Sequence, residues 1–534
     1  MKRSCAFILG MILLIVLLPV SFAEQNDEYI CEDIMKPSEW IDPGHNRIMY
    51  EIFVSSFSDS DGDGIGDLRG IINRLDYLND GDPESGRSLG VEGLWLTPIF
   101  LSPSYHKYDV KDYYQIDPAI GTFEDLQELI RLCHERGMIV ILDLPINHTS
   151  GEHKWYINFV NSHLLNNAGN QYYDYYTWLP KTADIPAGRH FMTQNNGKLR
   201  VEANFSDSMP ELNFDNPEVR EAVVDIAAFY LGLGIDGFRF DAAKYIYYGD
   251  HSANADFWTW YIDRLKEIKP DLYTIAEVWD SDSVTERYVS ALNCFNFTCA
   301  QAEGLIAKTA AAGNVNKMTT YVENYISTIK ALNPDAANCF FISNHDTDRA
   351  AGYLTVASGR MQMAANLYLL SPGSPFIYYG EEIGLRGSRG GANTDANRRL
   401  AMLWGDGDTV SDPIGTTYDP AKQSPYTVLD CLQNETSLYN HYKKLIMIRK
   451  ANPEIASGEY HALQFKEGKA GGFTSTLNGK TICVLHNTTT RAITLDLSSA
   501  TALTFDTIAA VIGGTAELTG TTVTIDGQTS VVLR

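Results

Sequence analysis

The stretch "DNPEVREAVVDIAAFYLGLGIDGFRFD" (215–241) contains a helix signal that passes directly into a strand signal. Asn216 is suited to cap a helix and Pro217 to occupy its first turn, and the glycines that follow are typical of a helix end. The remaining letters, "IDGFRFD" (235–241), form a short and largely apolar run that ends on an acid. A helix that leads into a short buried strand is the repeating unit of folds with a parallel sheet.

The same alternation extends outward from residue 48 to about residue 383. The other strand-like runs are "IMYEIFVSSF" (48–57), "VEGLWLTPIF" (91–100), "MIVILDL" (138–144), "YTIAEVW" (273–279), "NCFFISNHD" (338–346) and "PFIYYGEE" (375–382), with "ALNCFNFT" (291–298) as a weaker candidate. About eight strands alternating with helices predict an α/β fold, a (β/α)₈ TIM barrel. A doubly wound sheet is the alternative, and the strand count disfavours it.

Two segments depart from this alternation. After the strand at 138–144 the next convincing strand begins near residue 235, and a gap of that length indicates an inserted subdomain rather than a loop. Beyond residue 455 apolar residues alternate at period two, and Asp526-Gly527 is predicted to be a hairpin turn. We therefore expect a barrel at 24–149 and 216–450, an inserted domain at 150–215 and a C-terminal antiparallel β-sandwich at 451–534.

Polar residues are concentrated where the predicted strands end. In a (β/α)₈ barrel the carboxyl ends of the strands meet at one rim, where catalysis takes place. One acid at a strand end is easily explained as a cap or an ion-pair partner, but several from separate strands indicate a function. The rim residues predicted in this way are Asp143, Asn147, His148, Arg239, Asp241, Glu277, His345 and Asp346.

Several acids around one concave site suit the cleavage of glycosidic bonds. One carboxylate attacks or stabilises the anomeric carbon, and a second, kept protonated by its neighbours, donates to the leaving oxygen. No G-x-x-x-x-G-K-[ST] motif is present, which argues against phosphate transfer. A two-metal hydrolase that uses the same acids as ligands stays open, although a cation as close as Arg239 makes it less favoured.

The composition is acidic, with 67 acidic and 42 basic residues and a net charge of −25. Such a surface repels phosphate backbones, so we expect no nucleic-acid partner. Lys2 and Arg3 precede an apolar run and then Ser21-Phe22-Ala23, the order of a secretory signal that is cleaved after Ala23. We expect residues 1–23 to be a signal peptide and the mature protein to be secreted, with no membrane association after cleavage. The seven cysteines of the mature protein are expected to be mostly buried thiols.

Four short motifs resemble those of the α-amylase family, glycoside hydrolase family 13. They are "DLPINH" (143–148), "GFRFDAAKY" (237–245), "EVW" (277–279) and "FISNHD" (341–346), and they occur in the family's order on the expected strands. "MPELN" (209–213) is similar to the family's motif in the inserted domain, and "GSPFIYYGEE" (373–382) to its last barrel strand. The resemblance covers nearly the whole mature chain.

The resemblance implies a role for each matching residue. Asp241 is expected to be the nucleophile, Glu277 the general acid and then base, and Asp346 the residue that grips sugar hydroxyls. Arg239 is expected to lower the pKa of Asp241 and hold it ionised. The remaining expected substrate contacts are Tyr108, Asp109, His148, Lys244, His345 and Arg399, with Arg399 and Asp109 closing the floor of one sugar subsite together.

The stretch "DSDGDGIGD" (59–67) carries four acids and raises the question of a cation. An EF-hand beginning at Asp59 would need a bidentate Glu at its twelfth position, where Gly70 stands, so a calcium sensor is disfavoured. The segment resembles the loop that binds a structural calcium in many members of the family. We therefore predict Ca²⁺ ligands at Asp59, Asp61, Asp63, the Ile65 carbonyl and Asp67, and a solvated loop is the alternative. Asn147 is a weaker candidate for a second calcium site.

The bond specificity is predicted from "DAAK" (241–244), which resembles members that cut α-1,4 bonds, since members that prefer α-1,6 bonds commonly carry Val after the nucleophile. We expect an α-amylase that acts as a monomer on starch, glycogen and maltooligosaccharides. Tyr245 in place of the usual His, Glu211 in place of Asp and Lys107 in place of Gly depart from the pattern. An oligosaccharide-acting α-glucosidase, a transglycosylase and an inactive glycan-binding homologue are the alternatives.

Overall fold

The computed structural model describes residues 44–194, 197–391 and 393–534. The predicted signal segment, its cleavage point after Ala23, and two of the eight cysteines lie outside these residues. The six cysteines that are described are all buried and carry free thiols. Within the same residues, no helix has both the length and the apolar character needed to cross a bilayer.

The strands of the described residues follow in chain order. They are β1 Met49–Ile52, β2 Gly93–Leu96, β3 Phe100–Leu101, β4 Asp112–Ile116, β5 Ile139–Leu144, β6 Trp178–Pro180, β7 Phe191–Gln194, β8 Leu199–Glu202, β9 Gly237–Phe240, β10 Tyr273–Ala276, β11 Asn293–Cys294, β12 Cys339–Phe340, β13 Ser374–Tyr378, β14 Glu459–Leu463, β15 Ala470–Leu477, β16 Lys480–Asn487, β17 Ile493–Asp496, β18 Ile508–Ile512, β19 Ala516–Thr519, β20 Thr522–Ile525 and β21 Thr529–Leu533.

One or two helices separate most of the strands up to β13, and three more α-helices lie between β13 and β14. The α-helices are α1 Leu68–Asn73, α2 Leu75–Leu78, α3 Phe123–Glu135, α4 Lys154–Leu164, α5 Pro217–Leu233, α6 His251–Ile268, α7 Asp282–Val289, α8 Leu305–Ala310, α9 Val315–Leu332, α10 Ala350–Tyr353, α11 Arg360–Leu369, α12 Val428–Leu432, α13 Leu438–Ala451 and α14 Glu454–Ser457. Short 3₁₀-helices lie at Val54–Ser56, Gln171–Asp174, Ala243–Tyr245, Val356–Ser358, Glu381–Ile383, Asp395–Arg398, Pro420–Lys422 and Leu497–Ser499.

Eight parallel strands form the predicted barrel, in the order β11-β10-β9-β5-β2-β1-β13-β12. A parallel bridge between Phe295 and Cys339 joins the two ends of this order. The fold prediction is therefore confirmed, including the weak candidate strand, which is reduced to the two residues of β11. Apolar side chains fill the interior, among them Met49, Trp95 and Phe376.

The helix and strand signals at 215–241 are realised as α5 and β9. The Asn216 side chain accepts a hydrogen bond from the Glu218 N–H at 2.9 Å, and Gly234 ends the helix with a φ of +106°. β9 then pairs with β5 on one side and β10 on the other. A side chain at Gly237 would lie 1.7 Å from the Tyr273 carbonyl oxygen, so glycine permits this close pairing.

The chain between β5 and α5 forms a separate layer at the rim of the barrel. It contains α4 and a three-stranded antiparallel sheet in the order β6-β8-β7. Antiparallel bridges between His148 and Glu211, and between Tyr176 and Leu212, join its ends. The Leu212 N–H also donates to the Asn147 carbonyl at 3.0 Å, which attaches this layer directly to the segment that follows β5.

The C-terminal region contains a five-stranded sheet, β14-β15-β16-β21-β18, and a three-stranded sheet, β17-β20-β19. The prediction of a hairpin turn at Asp526-Gly527 is wrong, because β20 and β21 belong to different sheets and the pair lies at the crossing between them. The Asp526 carboxylate there accepts from the Thr515 N–H and hydroxyl. A two-residue hairpin occurs instead at Asn478 and Gly479, whose φ values of +51° and +76° suit the tight primed turn.

Candidate active site

The rim of the barrel is built by residues that end its parallel strands. Asp143 is the second-last residue of β5, Arg239 lies in β9, and Asp241 is the first residue after β9. Glu277 is the first residue after β10, and Asp346 follows β12 by a short loop. Because the carboxyl ends of parallel strands meet at one edge, four separate strands deliver these side chains to a single site.

Arg239 is the centre of the site. Its guanidinium is fully buried, and Nη1 donates to Asp143 Oδ1 at 2.7 Å and to Asp241 Oδ1 at 2.6 Å. Nη2 lies 3.0 Å from Glu277 Oε2 as an ion pair, although it makes no well-aligned hydrogen bond within the described chain. One cation therefore holds three carboxylates from three strands within contact distance.

Glu277 is oriented by the segment that follows Asp241. The Ala242 N–H donates to Glu277 Oε2 at 3.0 Å, and the Ala243 N–H donates to the Glu277 carbonyl at 3.1 Å. Ala242 adopts a left-handed conformation with φ +49° and ψ +36°, which a non-glycine residue takes at a cost of about 1–2 kcal/mol. This strain turns the backbone donor towards the carboxyl group and couples the two acids directly.

Asp346 is held by two cations. Arg399 Nη2 lies 2.7 Å from Asp346 Oδ1, and His345 Nε2 lies 3.0 Å from Oδ2. His345 Nδ1 donates in turn to Glu51 Oε1 at 2.5 Å. Although burial opposes it, the Asp346 and Glu51 carboxylates raise the pKa of His345 to about 10, so the ring carries a proton on each nitrogen.

Tyr108 connects the two halves of the site. Its hydroxyl lies 2.8 Å from Asp143 Oδ2 and 2.7 Å from His345 Nε2, and its ring stacks on the His345 ring with an interplanar angle of 10°. Asp143 also accepts from Trp95 Nε1 at 3.2 Å. An unbroken series of contacts therefore runs from Asp346 through His345, Tyr108 and Asp143 to the central arginine.

The buried acids differ in their affinity for a proton. Burial raises the pKa of Glu277 to about 7 and that of Asp241 to about 6, with neighbouring carboxylates adding to both rises and Arg239 opposing them. Burial also acts to raise the pKa of Asp346, but His345, Arg399 and Arg239 together hold it well below its usual range. Near neutral pH the site thus contains one carboxyl group that can donate a proton beside others that are ionised.

Arg239 acts to lower the pKa of Asp241, as expected, but the net shift of that pKa is upward. The guanidinium lowers the pKa of Asp241, yet burial and the Asp143 charge outweigh it, so the net shift is upward. Asp241 stays largely ionised only above about pH 6. The expectation from the sequence identified the interaction between Arg239 and Asp241 correctly. It did not include the burial of Asp241, which raises the pKa by more than Arg239 lowers it.

Arg399 and Asp109, which are expected to close the floor of one sugar subsite together, make direct contacts with different partners. Among the ion pairs of the described residues, Arg399 contacts Asp346, and its Nε donates to the His345 carbonyl at 3.1 Å. The Asp109 carboxylate instead accepts from the hydroxyls of Ser102 and Ser104 in its own loop. Arg399 therefore binds the acid in the loop after β12, whereas Asp109 is held within its own loop.

His148 and Lys244 lie at the edges of the site. His148 is buried, burial lowers its pKa to about 4, and its Nε2 has no hydrogen-bond partner among the described residues. The neutral ring is therefore available to a polar ligand. Lys244 Nζ donates to the Trp279 carbonyl at 2.7 Å and lies 2.9 Å from Asp280 Oδ2, so it braces the segment behind Glu277.

Several residues of the site were not predicted. Glu51, in the first barrel strand, could have been found as a single acid inside an apolar run, but its partner His345 lies 294 positions away. Trp279 and Phe205 are exposed by 40% and 45% at the rim, and their position there depends on the tertiary structure. Trp279 stacks on Phe297 with ring centroids 5.0 Å apart.

The acidic loop after β1 brings together three of its four predicted carboxylates. Ligand oxygens of Asp59, Asp61 and Asp67 lie within 4.8 Å of one another. Asp63 is not part of this group, and its Oδ1 accepts from the Ile65 N–H at 2.7 Å. Asp67 also caps α1 by accepting from the Gly70 N–H at 2.7 Å. The group is the sole cluster of three or more potential metal-binding acids, histidines or cysteines that the described chain contains.

Asn147, the weaker candidate for a second calcium site, is buried behind the rim. Its side-chain amide lies 3.5 Å from His148 Nδ1, and its carbonyl accepts from Leu212. No group of three metal-binding carboxylates forms around it in the described residues. Its contacts thus serve the junction between barrel and insertion.

Comparisons with known proteins agree on one family. A family model described as the catalytic domain of alpha amylase matches residues 51–458. Alpha-amylase 3 of Dictyoglomus thermophilum is 38% identical, over 83% of this chain and 84% of that protein. Oligo-1,6-glucosidase of Bacillus cereus is 29% identical over 84% of this chain and 91% of that protein. The solved structure of Eubacterium rectale Amy13B superposes with a TM-score of 0.83 at 32% identity, covering 93% of this chain and 97% of that one.

Proposed function

The chain belongs to the α-amylase family, glycoside hydrolase family 13, and from this premise we propose that it is a retaining α-amylase. It cleaves α-1,4-glucosidic bonds of starch, glycogen and maltodextrins by double displacement. The observation that carries this proposal is the pair of acids, Asp241 and Glu277, held on the single buried guanidinium of Arg239. Two carboxyl groups of unlike proton affinity are what a retaining glycosidase requires.

In the first step a carboxylate oxygen of Asp241 attacks the anomeric carbon of a bound glucosyl unit. Asp241 Oδ1 is held by Arg239, which leaves Oδ2 for the attack. Glu277 Oε2 is held by the Ala242 N–H, so Oε1 carries the proton to the glycosidic oxygen. The bond from carbon to the leaving sugar breaks, an ester bond to Asp241 forms, and Glu277 becomes a carboxylate.

In the second step water replaces the leaving sugar. The Glu277 carboxylate removes a proton from the water, whose oxygen attacks the anomeric carbon. The ester bond breaks, and Asp241 returns as a carboxylate while Glu277 is again protonated. The product keeps the anomeric configuration of the substrate because the carbon is inverted twice.

The surrounding groups bind and distort the sugar. Asp346, ionised between Arg399 and His345, accepts hydrogen bonds from sugar hydroxyls and favours the positive charge that develops on the ring. Tyr108 offers an aromatic face, and the unpartnered Nε2 of His148 is available to a further hydroxyl. Asp109 and Lys244 contribute through their loops, since their charged groups are engaged by neighbouring residues.

The bond specificity is the finer part of the proposal. Ala242 after the nucleophile and the 38% identity to Alpha-amylase 3 support α-1,4 cleavage. An oligosaccharide-acting α-glucosidase is the second candidate, since a relative named oligo-1,6-glucosidase covers a similar share of the chain. An inactive glycan-binding protein is disfavoured because all three acids are present and connected in one site.

The proposal is tested with Asp241→Asn and with a product profile. The variant is expected to lose more than about 10⁴-fold of kcat on a chromogenic maltooligosaccharide, because an amide cannot form the ester, while starch binding persists. The wild-type protein is expected to release maltooligosaccharides from soluble starch and to leave isomaltose intact. An active Asp241→Asn variant would contradict the assigned nucleophile, and faster cleavage of isomaltose would favour the second candidate.

We also propose that the acidic loop binds a structural Ca²⁺. Asp59, Asp61 and Asp67 suit a hard cation because their carboxylate oxygens converge, and the Ile65 carbonyl lies in the same loop. Asp63 joins the set only if its side chain leaves the Ile65 N–H. The ion neutralises three like charges and fixes the loop, and it takes no part in the reaction.

The proposed biological setting is extracellular. The signal-like segment before Ala23 supports secretion, and polymeric starch must be cut outside the cell. The mature protein is proposed to act as a monomer with an α-glucan as its partner. Mass spectrometry of protein recovered from the medium would test the cleavage point and the oligomeric state together.

A further inference from the structure

Glu51 is an acidic side chain that points into the apolar interior of the barrel. Side chains of a strand alternate between its two faces, and Met49, two residues earlier in β1, belongs to the apolar cluster that fills the interior. Glu51 therefore points the same way, and it is buried. A buried carboxylate is costly unless a cation or hydrogen-bond donors compensate it, and His345 supplies this compensation.

His345 binds the Glu51 carboxylate through two groups. Its ring Nδ1 lies 2.5 Å from Glu51 Oε1, and its backbone N–H donates to the same oxygen at 3.3 Å. The ring also packs against Trp95 edge to face, with ring centroids 5.7 Å apart. A ring that is held at its backbone, at Nδ1 and on one side cannot rotate freely, so the Glu51 carboxylate fixes the direction in which Nε2 points.

Both ring nitrogens of His345 face hydrogen-bond acceptors. Nδ1 faces the Glu51 carboxylate, so it carries a proton. Nε2 lies 2.7 Å from the Tyr108 hydroxyl and 3.0 Å from Asp346 Oδ2. The Tyr108 hydroxyl donates its own proton to Asp143 Oδ2 at 2.8 Å, so it accepts from Nε2. The contacts of the ring are therefore satisfied only when both nitrogens are protonated and His345 is a cation.

We propose that Glu51 is a positioning residue of the reaction, which keeps His345 doubly protonated and directed at Asp346 without touching the sugar. The inference rests on the proposed function, since it concerns how the same site holds its substrate-binding acid. A neutral ring with its proton on Nδ1 would turn a lone pair towards the Asp346 carboxylate, and the two groups would repel each other. A carboxylate on β1 therefore determines the charge of a group in the loop after β12.

Groups from several elements act on the proton affinity of His345. Besides Glu51, the titratable and charged residues around the pair are Tyr108, Asp143 on β5, Arg239 on β9, Tyr378 on β13, Arg399 and the adjacent Asp346. Burial lowers the pKa of His345, but the Asp346 and Glu51 carboxylates outweigh burial and raise this pKa to about 10. Without the Glu51 charge the pKa falls, so His345 loses its Nε2 proton at a lower pH.

The test uses Glu51→Gln, which keeps the shape of the side chain and removes its charge. Neutron diffraction from crystals at about pD 8 should show deuterons on both ring nitrogens of His345 in the wild-type protein, and on Nδ1 alone in the variant. The kcat/KM for a chromogenic maltooligosaccharide should fall about 10- to 100-fold, comparable to the loss when a metal-binding histidine loses its carboxylate partner. The alkaline limb of its pH profile should move to lower pH, while the acidic limb, set by Asp241, stays in place.

Two further variants separate the charge of Glu51 from its shape and its burial. Glu51→Asp keeps the charge, so its alkaline limb should lie closer to that of the wild-type protein than the limb of Glu51→Gln does. Glu382→Gln removes another fully buried carboxylate, which accepts hydrogen bonds from the hydroxyls of Tyr50 and Tyr77. This control should move neither limb, because Glu382 has no contact with His345 among the described hydrogen bonds and ion pairs.

Three results would overturn the proposal. They are a single ring deuteron on His345 in the wild-type protein, two ring deuterons in Glu51→Gln, and an alkaline limb that Glu51→Gln leaves unmoved. Failure of the proposed function is distinguishable from these, because the deuterons are located without any measurement of activity. A wild-type protein that cleaves no maltooligosaccharide but carries both ring deuterons would contradict the assigned reaction and support the role of Glu51 in holding the charge of His345.

Discussion

At the scale of single residues, Arg239 accounts for most of the chemistry at this site. A guanidinium can meet three carboxylates at once because its donors are planar and fixed, whereas an ammonium is a single point charge. Its burial strengthens each ion pair, and its positive charge offsets the repulsion among the acids. The cost is that the acids share one cation, so their protonation states are linked.

This linkage predicts the effect of Arg239→Lys on the pH profile. Arg239 lowers the pKa of both Asp241 and Glu277, so a less well placed cation lets both values rise. Activity requires Asp241 ionised and Glu277 protonated, and both limbs of kcat/KM against pH should therefore move to higher pH. The loss of charge-assisted hydrogen bonds should lower kcat/KM by about 10- to 100-fold.

The control is Arg264→Lys, which alters an ion pair with Glu221 at the exposed surface. It should leave both limbs and the rate unchanged. If Arg239→Lys reduced the rate without moving either limb, the guanidinium would be needed for position alone and not for the proton affinities of the acids.

At the scale of elements, the loop between β3 and β4 shows how a departure from the family pattern is accommodated. Lys107 adopts a left-handed conformation with φ +63°, which is unfavourable for any residue with a side chain. Its Nζ lies 2.6 Å from Asp117 Oδ2, and both side chains are buried. The ion pair holds the loop that presents Tyr108 and Asp109 in a shape that glycine would adopt without strain.

Replacing Lys107 tests how much the ion pair with Asp117 contributes to stability. Lys107→Met leaves the Asp117 carboxylate buried and uncompensated, which should lower the free energy of unfolding by about 3 kcal/mol. Chemical denaturation is the measurement, and the KM for maltooligosaccharide should rise as Tyr108 becomes less well placed.

Lys111→Met provides the comparison within the same loop region, because Lys111 pairs with Glu152 at the surface. A change within about 0.5 kcal/mol is expected there. Adding Asp117→Asn to Lys107→Met should recover part of the lost stability, and no recovery would mean that the buried charge is not its cause.

At the scale of the whole molecule, the acidic loop joins parts of the chain that are far apart in sequence. Thr409 Oγ1 donates to Asp59 Oδ2 at 2.7 Å, and the Ser411 N–H donates to the Gly64 carbonyl at 3.0 Å. The first barrel loop is therefore fastened to the segment that leads towards α12. A cation bound to Asp59 would stabilise both segments together.

Chelation tests this coupling. A calcium chelator should lower the Tm by about 5 °C, because an ion that binds only the folded state adds to its stability. Differential scanning calorimetry with and without added Ca²⁺ is the measurement. Asp61→Asn, which removes an exposed ligand, should lower the Tm measured in Ca²⁺, and the chelator should then have no further effect on the Tm of this variant. If the chelator left the Tm of the wild-type protein unchanged, the proposed calcium site would be contradicted.

The sequence by itself determined the alternation of strands and helices, the inserted layer and the acids that end the strands. These features are encoded locally, because the caps of α5, the apolar periods and the strand-end positions depend on neighbours within a few residues. The tertiary structure alone decided that Arg399 meets Asp346 rather than Asp109, that His345 finds Glu51, and that Asp526-Gly527 crosses between sheets. Partners separated by tens to hundreds of residues are chosen by how whole elements pack, and no local pattern records that choice.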